Sequence, residues 1–454
     1  MSYRRFFRSA RPAFLALALV GRLPYAIVPL GTIVLLQASS GSFAFAGLAA
    51  GAQSIAIALG GLCVGAVARW VPPRRIGFWA ALLNAASILL LLLASRGAGS
   101  VVIVCAAVLV GLTQPQVGPL VRVHWSGQLR SGDAHLIRTA MSYEGAVDES
   151  SFVLGPALVG VLLLAPTAAW GFPQAGPLLG AAGLLVVAAA PLARQYADLP
   201  SEDATPVAGF SEPTTGRSST AAEPVPSSDA DRAGVSLHWP SLMTLTVAMV
   251  SAGAIFGAVQ TGVAAYAAAE GTPQLAGLYF AELGIGSAVA GAACAWLPPG
   301  FSLGLRRWLF PLALVLGMLV LLWGATAGLL PVALAVAGLA VGPYMVTLYA
   351  LTEAQTPLPA MATAMAVLCA GGPIGTAAGQ LGAGLLADRL GATPAFVIAP
   401  IAAALGLAAS IANTRTFSGG SLDEVATSTQ TVDSDVDAGT CAGADIRSGD
   451  AEAR

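Results

Sequence analysis

Stretches of about 20 apolar residues follow one another along this chain, and a helix of that length crosses a hydrocarbon core of roughly 30 Å. A backbone inside a bilayer has no water to bond, so each stretch must satisfy its own amides and carbonyls, which a helix does. Composition agrees: 10% of residues are charged, against about 25% in a soluble domain. The chain is therefore read as an all-α, polytopic membrane protein.

Spans are predicted near 13–36, 43–68, 76–95, 99–121, 139–164 and 174–194, then near 241–268, 274–297, 306–326, 328–350, 359–387 and 393–412. The first run, Ala13 to Leu36, is too long for the apolar part of a secretory signal. The stretch 196–238 is rich in Ser, Thr, Pro, Ala and acid. It cannot bury enough apolar surface to order itself and is expected to be a flexible cytoplasmic linker. The expected organisation is a six-helix bundle over 1–195, the linker 196–238, a second six-helix bundle over 239–412 and a disordered acidic tail over 413–454.

All 21 basic residues are arginine. With both ends cytoplasmic, the inside segments hold Arg69, Arg74, Arg75, Arg122, Arg130, Arg138, Arg194, Arg217, Arg232, Arg306 and Arg307, with more in the N-terminal arm and the tail. The outside loops hold Arg96 and Arg389. This bias predicts a multi-pass plasma-membrane protein with cytoplasmic termini. Basic residues confined to loops, with no patch interleaved with aromatics, give no support to a nucleic-acid partner. Cys63, Cys105, Cys294, Cys369 and Cys441 form no metal spacing, and His124, His135 and His238 have no ligand partner at metal spacing. No P-loop, GxSxG or HExxH motif is present, so an enzyme is not expected, and no cofactor.

The two sets of six spans repeat. Ala46-Gly47-Leu48 answers Ala276-Gly277-Leu278; Thr139-Ala140-Met141 answers Thr363-Ala364-Met365; at that same offset Gly155 meets Gly379 and Gly160 meets Gly384. Parallel repeats of this kind characterise transporters whose halves rock about a central site. Six plus six spans, a long linker and matched halves resemble the major facilitator superfamily. Gly21-Arg22-Leu23-Pro24, Val121-Arg122-Val123-His124-Trp125 and Glu144…Asp148-Glu149…Phe152-Val153-Leu154-Gly155-Pro156 resemble an actinobacterial group of efflux permeases. The resemblance is imperfect in the loop after span 2, where Arg69 stands in place of the usual aspartate and Pro72 in place of a glycine. A close copy of that signature, Gly384-Leu385-Leu386-Ala387-Asp388-Arg389-Leu390-Gly391, lies at the outer end of span 11. The antiporter signature of span 5 keeps Gly155-Pro156 and Gly160 but loses one glycine, which inclines the resemblance toward export.

Eight of the 23 acidic residues lie outside the linker and tail, and Glu144, Asp148 and Glu149 are three of them. Asp148 and Glu149 fall roughly 14–15 Å into span 5 at 1.5 Å per residue, near the midplane. Glu144 lies one turn below Asp148 on the same face. Carboxylates this close and poorly solvated cannot all stay ionised at neutral pH. Ionisable groups at such depth cost from about 3 to more than 10 kcal/mol and mark functional sites. The corresponding positions of the second half are Gly372 and Pro373, so the scaffold is duplicated and the acids are not. The expected proton-coupling or gating group is Asp148 and Glu149, assisted by Glu144 and by Glu282 of span 8, with Arg22 of span 1 as counter-ion; the alternative is a structural ion pair or latch. The resemblance places spans 1, 4, 7 and 10 around the cavity. There Tyr25, Gln114, Gln260 and Tyr344 are expected to contact substrate, with interhelical hydrogen bonding as the alternative; Gln116, Tyr266 and Tyr349 are further polar candidates.

These residues predict a monomeric secondary transporter working by alternating access, with a small amphipathic molecule, protons and the lipid bilayer as partners. Proton-coupled efflux is the leading reading and proton-coupled uptake of a metabolite the second. A non-transporting receptor or scaffold on the same fold is the reading from a different class.

Overall fold

The computed structural model describes residues 6–7, 10–68, 70–128, 134–164, 173–196, 238–298, 301–357 and 360–416. The linker and tail, save their few boundary residues, lie outside the described residues. So do Arg69, Arg130, Arg217, Arg232, Cys441 and the side chains of His135 and Arg138. Twelve helices are long and apolar enough to cross a membrane: α1 (Pro12–Ser40), α2 (Phe43–Val67), α3 (Pro73–Ala94), α4 (Ser100–Gln128), α5 (Thr139–Leu163), α6 (Gly176–Ala193), α7 (Trp239–Ala269), α8 (Pro273–Ala293), α9 (Leu303–Thr326), α10 (Leu330–Gln355), α11 (Thr363–Leu390) and α12 (Thr393–Thr414). Their ends follow ordinary capping chemistry. Ser42 and Ser302 accept hydrogen bonds from the Phe45 and Leu305 amides to open α2 and α9. Gly41, at φ 72°, closes α1 in the left-handed conformation that disfavours side chains.

One crossing differs from the sequence reading. The fourth does not end near Val121. It breaks at Thr113–Gln116 around Pro115 and continues as a second helix, Val117–Gln128. Arg122, read from its charge as a loop residue, is therefore helical, and its charge is answered inside the protein.

The two halves pack alike. In the first, α1 packs on α2, α5 and α6, α2 on α4, and α3 on α4 and α6. In the second, α7 packs on α8, α11 and α12, α8 on α10, and α9 on α10 and α12. Across the seam, α2 meets α11 and α5 meets α8, and the two contacts are the repeats' counterparts of each other.

Small residues let these backbones touch, as they must where lipid leaves little hydrophobic drive for helix association. A Cβ on Gly277 would strike the Pro156 carbonyl, and one on Gly47 the Gln380 carbonyl. Within the second half, α7 and α11 interlock through Gly253, Gly257, Gly375 and Gly379, each against the facing backbone. Gly375→Val should therefore lower the thermal midpoint in detergent, by an overpacking cost of about 1–3 kcal/mol. Gly65→Ala, where a Cβ meets nothing within 4 Å, should not lower it.

Candidate functional site

The sequence acids converge on Arg22. Gly21 brings α1 against Ala189 of α6, where a Cβ would already lie 3.3 Å from Ala189 Cα. Ala189 ends a short π-helical turn, Leu185–Ala189. The next side chain, Arg22, is 3% exposed. Its Nε donates to Asp148 Oδ1 at 2.8 Å, its Nη2 to Glu144 Oε2, and its Nη1 to the Ala18 carbonyl at 2.9 Å. Glu144 is wholly buried, and its second oxygen accepts from the Trp125 indole at 2.7 Å. The second oxygen of Asp148 accepts from Arg122 Nη2 at 2.5 Å. Two arginines and two carboxylates thus form a network of zero formal charge. Gly118 leaves it room: a Cβ there would sit 3.3 Å from Asp148 Oδ1.

Aromatic rings shield the network on the side of the chain ends. Trp125 meets Phe6 edge-on at 5.2 Å and Phe14 at 5.3 Å, and Phe14 stacks on His124 at 4.4 Å. Away from bulk water each charge–charge contact is strengthened, and an unpaired member becomes costly.

Glu149 stands apart. It is exposed and takes part in none of the three ion pairs that join Arg22 and Arg122 to the acids. It lies within electrostatic range of Tyr349 on α10, which neighbours the exposed Cys369 on α11. Tyr25, half-buried on α1, packs edge-on against Phe152 at 6.2 Å and is in range of both Asp148 and Cys369. Tyr25, Glu149, Tyr349 and Cys369 therefore flank the seam from both halves.

Other candidates fall elsewhere. Tyr344 is 1% exposed inside the second half, where its hydroxyl donates to the Ala248 carbonyl at 3.0 Å and lies 3.4 Å from Ser251 Oγ. That is an interhelical tie between α10 and α7 and not a cavity contact. Gln260 accepts from Gln380 Nε2 at 3.0 Å, and Gln380 Oε1 accepts from Ser54 at 3.2 Å, linking α7, α11 and α2. Gln114 is buried at the break in α4 with neither amide atom hydrogen-bonded. Glu282 is half-buried on α8 with one carboxylate oxygen unpartnered, and no hydrogen bond or ion pair joins it to the Arg22 network.

Sequence reasoning missed three features. Arg122 and Trp125, three residues apart on one helix face, match Asp148 and Glu144, four apart on α5; that paired spacing was the available signal. Asp388 at the end of α11 accepts from Ser42 Oγ at 2.6 Å and from the Phe43 and Ala44 amides at 2.7 and 2.9 Å. It caps the start of α2 from the other half and holds the seam closed at the face opposite the chain ends. Asn413 on α12 ties to Ser241 at 2.9 Å and to Gln355 at 3.0 Å, a buried polar knot at the other face. Among the described residues no three His, Cys, Asp or Glu side chains gather as metal ligands would.

No protein-family profile matches the sequence, and no curated protein matches it in sequence. Solved structures do match in fold. The nucleoside transporter NupG superposes with a TM-score of 0.64 over 90% of this chain and 100% of that one, at 13% identity. A bacterial homologue of the human lysosomal transporter Spinster, inward-facing and unoccupied, gives 0.62 over 90% and 100%, at 14% identity. A D-xylose–proton symporter gives 0.63 over 91% and 98%, at 13% identity. The chain has the major facilitator superfamily fold and is a multi-pass membrane protein.

Arg22→Met should destabilise the protein strongly, by about 3–5 kcal/mol, because it leaves the wholly buried Glu144 without a charged partner. Arg22→Met combined with Glu144→Gln restores neutrality around Asp148 and Arg122. It should unfold at a higher temperature than Arg22→Met alone, as measured by thermal melting in detergent.

Proposed function

We propose that the chain is a secondary active transporter that exports a small amphipathic molecule in exchange for protons by alternating access, with Glu149 as the group that takes and releases the proton. The observation that carries this reading is a lone exposed carboxylate one residue from a charge network that is already neutral. Asp148 is committed to two arginines, so the net charge of the site rests on Glu149. A proton cancels that charge, and so does a positively charged group on a substrate. The two then exclude one another, which is the arithmetic of antiport. Tyr25, Tyr349 and Gln260 are the polar side chains best placed to meet the cargo, because each is tied to residues at the seam between the halves.

Arg11, Arg74, Arg75, Arg194, Arg306 and Arg307 lie toward the face of the chain ends, and Arg96 and Arg389 toward the other. We assign the arginine-rich face to the cytoplasm of a plasma membrane. The contact of Asp388 with α2 then lies on the outer side. Rocking of the halves about the α2–α11 and α5–α8 contacts would expose Glu149 to each side in turn. Likeness in fold to a nucleoside transporter and to a D-xylose–proton symporter supports a small-molecule cargo and protons as a driving force. The symporter's likeness also favours proton-coupled uptake as the second reading.

Proton movement in proteoliposomes decides between these. Vesicles carrying the purified protein would be challenged with antibiotics, dyes, sugars and organic acids while a pH dye reports flux. A compound that moves protons with the wild type should move none with Glu149→Gln, and Asp148→Asn should lose transport altogether. Full proton flux in Glu149→Gln with an unchanged pH profile would refute the assignment. The direction of the proton relative to the compound separates export from uptake.

A further inference from the structure

Away from the Arg22 network, the start of α3 and the end of α6 border an open pocket of about 310 Å3 lined by Arg74, Arg75, Phe78, Trp79 and Arg194. Arg75 and Arg194 bring two guanidinium groups to it, one from each helix end. The Arg194 guanidinium is held 4.6 Å over the Phe78 ring, so one wall of the pocket is set before any ligand arrives. Pro72 supplies no side-chain cap to α3, whose positive first turn carries Arg74 and Arg75. Guanidinium forks around a helix start suit a phosphate group.

The surroundings identify what carries the phosphate. Trp79 is 59% exposed, and an exposed tryptophan at a helix end sits at headgroup level. Beyond it along the same side of α3 come Leu83, Leu90 and Leu93, all exposed. A charged pocket thus continues into an apolar track that runs along the membrane-crossing helix. Free phosphate would use the first and leave the second unexplained; a phospholipid uses both.

We propose that this pocket binds the phosphate of an anionic phospholipid, of the phosphatidylglycerol or cardiolipin class, with an acyl chain lying along Trp79, Leu83 and Leu90. The site needs only the membrane placement of α3 and α6 and is independent of the transport reading. Basic pockets between membrane helices recognise acidic headgroups in this way.

The test is native mass spectrometry of the full chain, delipidated and then titrated with phosphatidylglycerol or with phosphatidylcholine of the same acyl chains. Wild type should retain one phosphatidylglycerol in preference to phosphatidylcholine. Arg75→Gln with Arg194→Gln should weaken that retention on the order of thirtyfold, as loss of two interfacial arginines implies. Arg96→Gln, at the opposite face, should retain lipid as the wild type does. The thermal midpoint of each protein checks that the double variant is folded. Trp79→Ala should weaken retention while leaving the arginines in place. Equal retention of both lipids by wild type, equal retention of phosphatidylglycerol by the double variant, or displacement of the lipid by millimolar inorganic phosphate would each overturn the proposal.

Discussion

A guanidinium buried within a membrane-crossing helix is tolerable only where its charge is cancelled and its donors are occupied, and the first half of this protein is arranged around meeting that condition at Arg22. Glu144 and Asp148 cancel one charge beyond what Arg22 supplies, and Arg122 restores the balance. Each partner imposes a demand on its own helix. α4 must carry on past its proline break so that Arg122 and Trp125 reach α5. α1 must come close to α6, which Gly21 permits, and Phe6 and Phe14 must close over the indole. Removing the arginine would undo more than one contact, because the groups around it are placed on the assumption that it is there.

The second half meets the same architectural task by different means. Its counterpart of the α1–α5 contact is α7–α11, and there glycines bring backbone onto backbone where the first half sets charge against charge. Gly372 stands where the repeat puts Asp148. The charged network thus belongs to the first half, and its counterpart in the second half is held by glycine packing and neutral hydrogen bonds.

Much of this was legible in the sequence because the bilayer makes strong demands. Twelve apolar runs, the matched halves and the clustering of Glu144, Asp148 and Arg22 follow from length, periodicity and the cost of burying charge. What stayed hidden depends on three-dimensional pairing. Arg122 looked like a loop residue since nothing in its neighbourhood showed that a carboxylate 26 residues on would neutralise it. Tyr344 lies on a cavity-lining helix by analogy, but its side chain turns to α7, and helix number does not report facing. Asp388 and Ser42 are 346 residues apart, and no linear pattern joins a helix end to the start of another.

That last contact ties the first turn of α2 to the opposite half. Its opening amides, Phe43 and Ala44, are hydrogen-bonded to a residue of the opposite half and to nothing on their own side that would replace it. Whenever the halves part at that face, these two protons lose their acceptor and meet water. Their exchange with solvent deuterium therefore reads how often Asp388 leaves the start of α2, without any label, ligand or substitution.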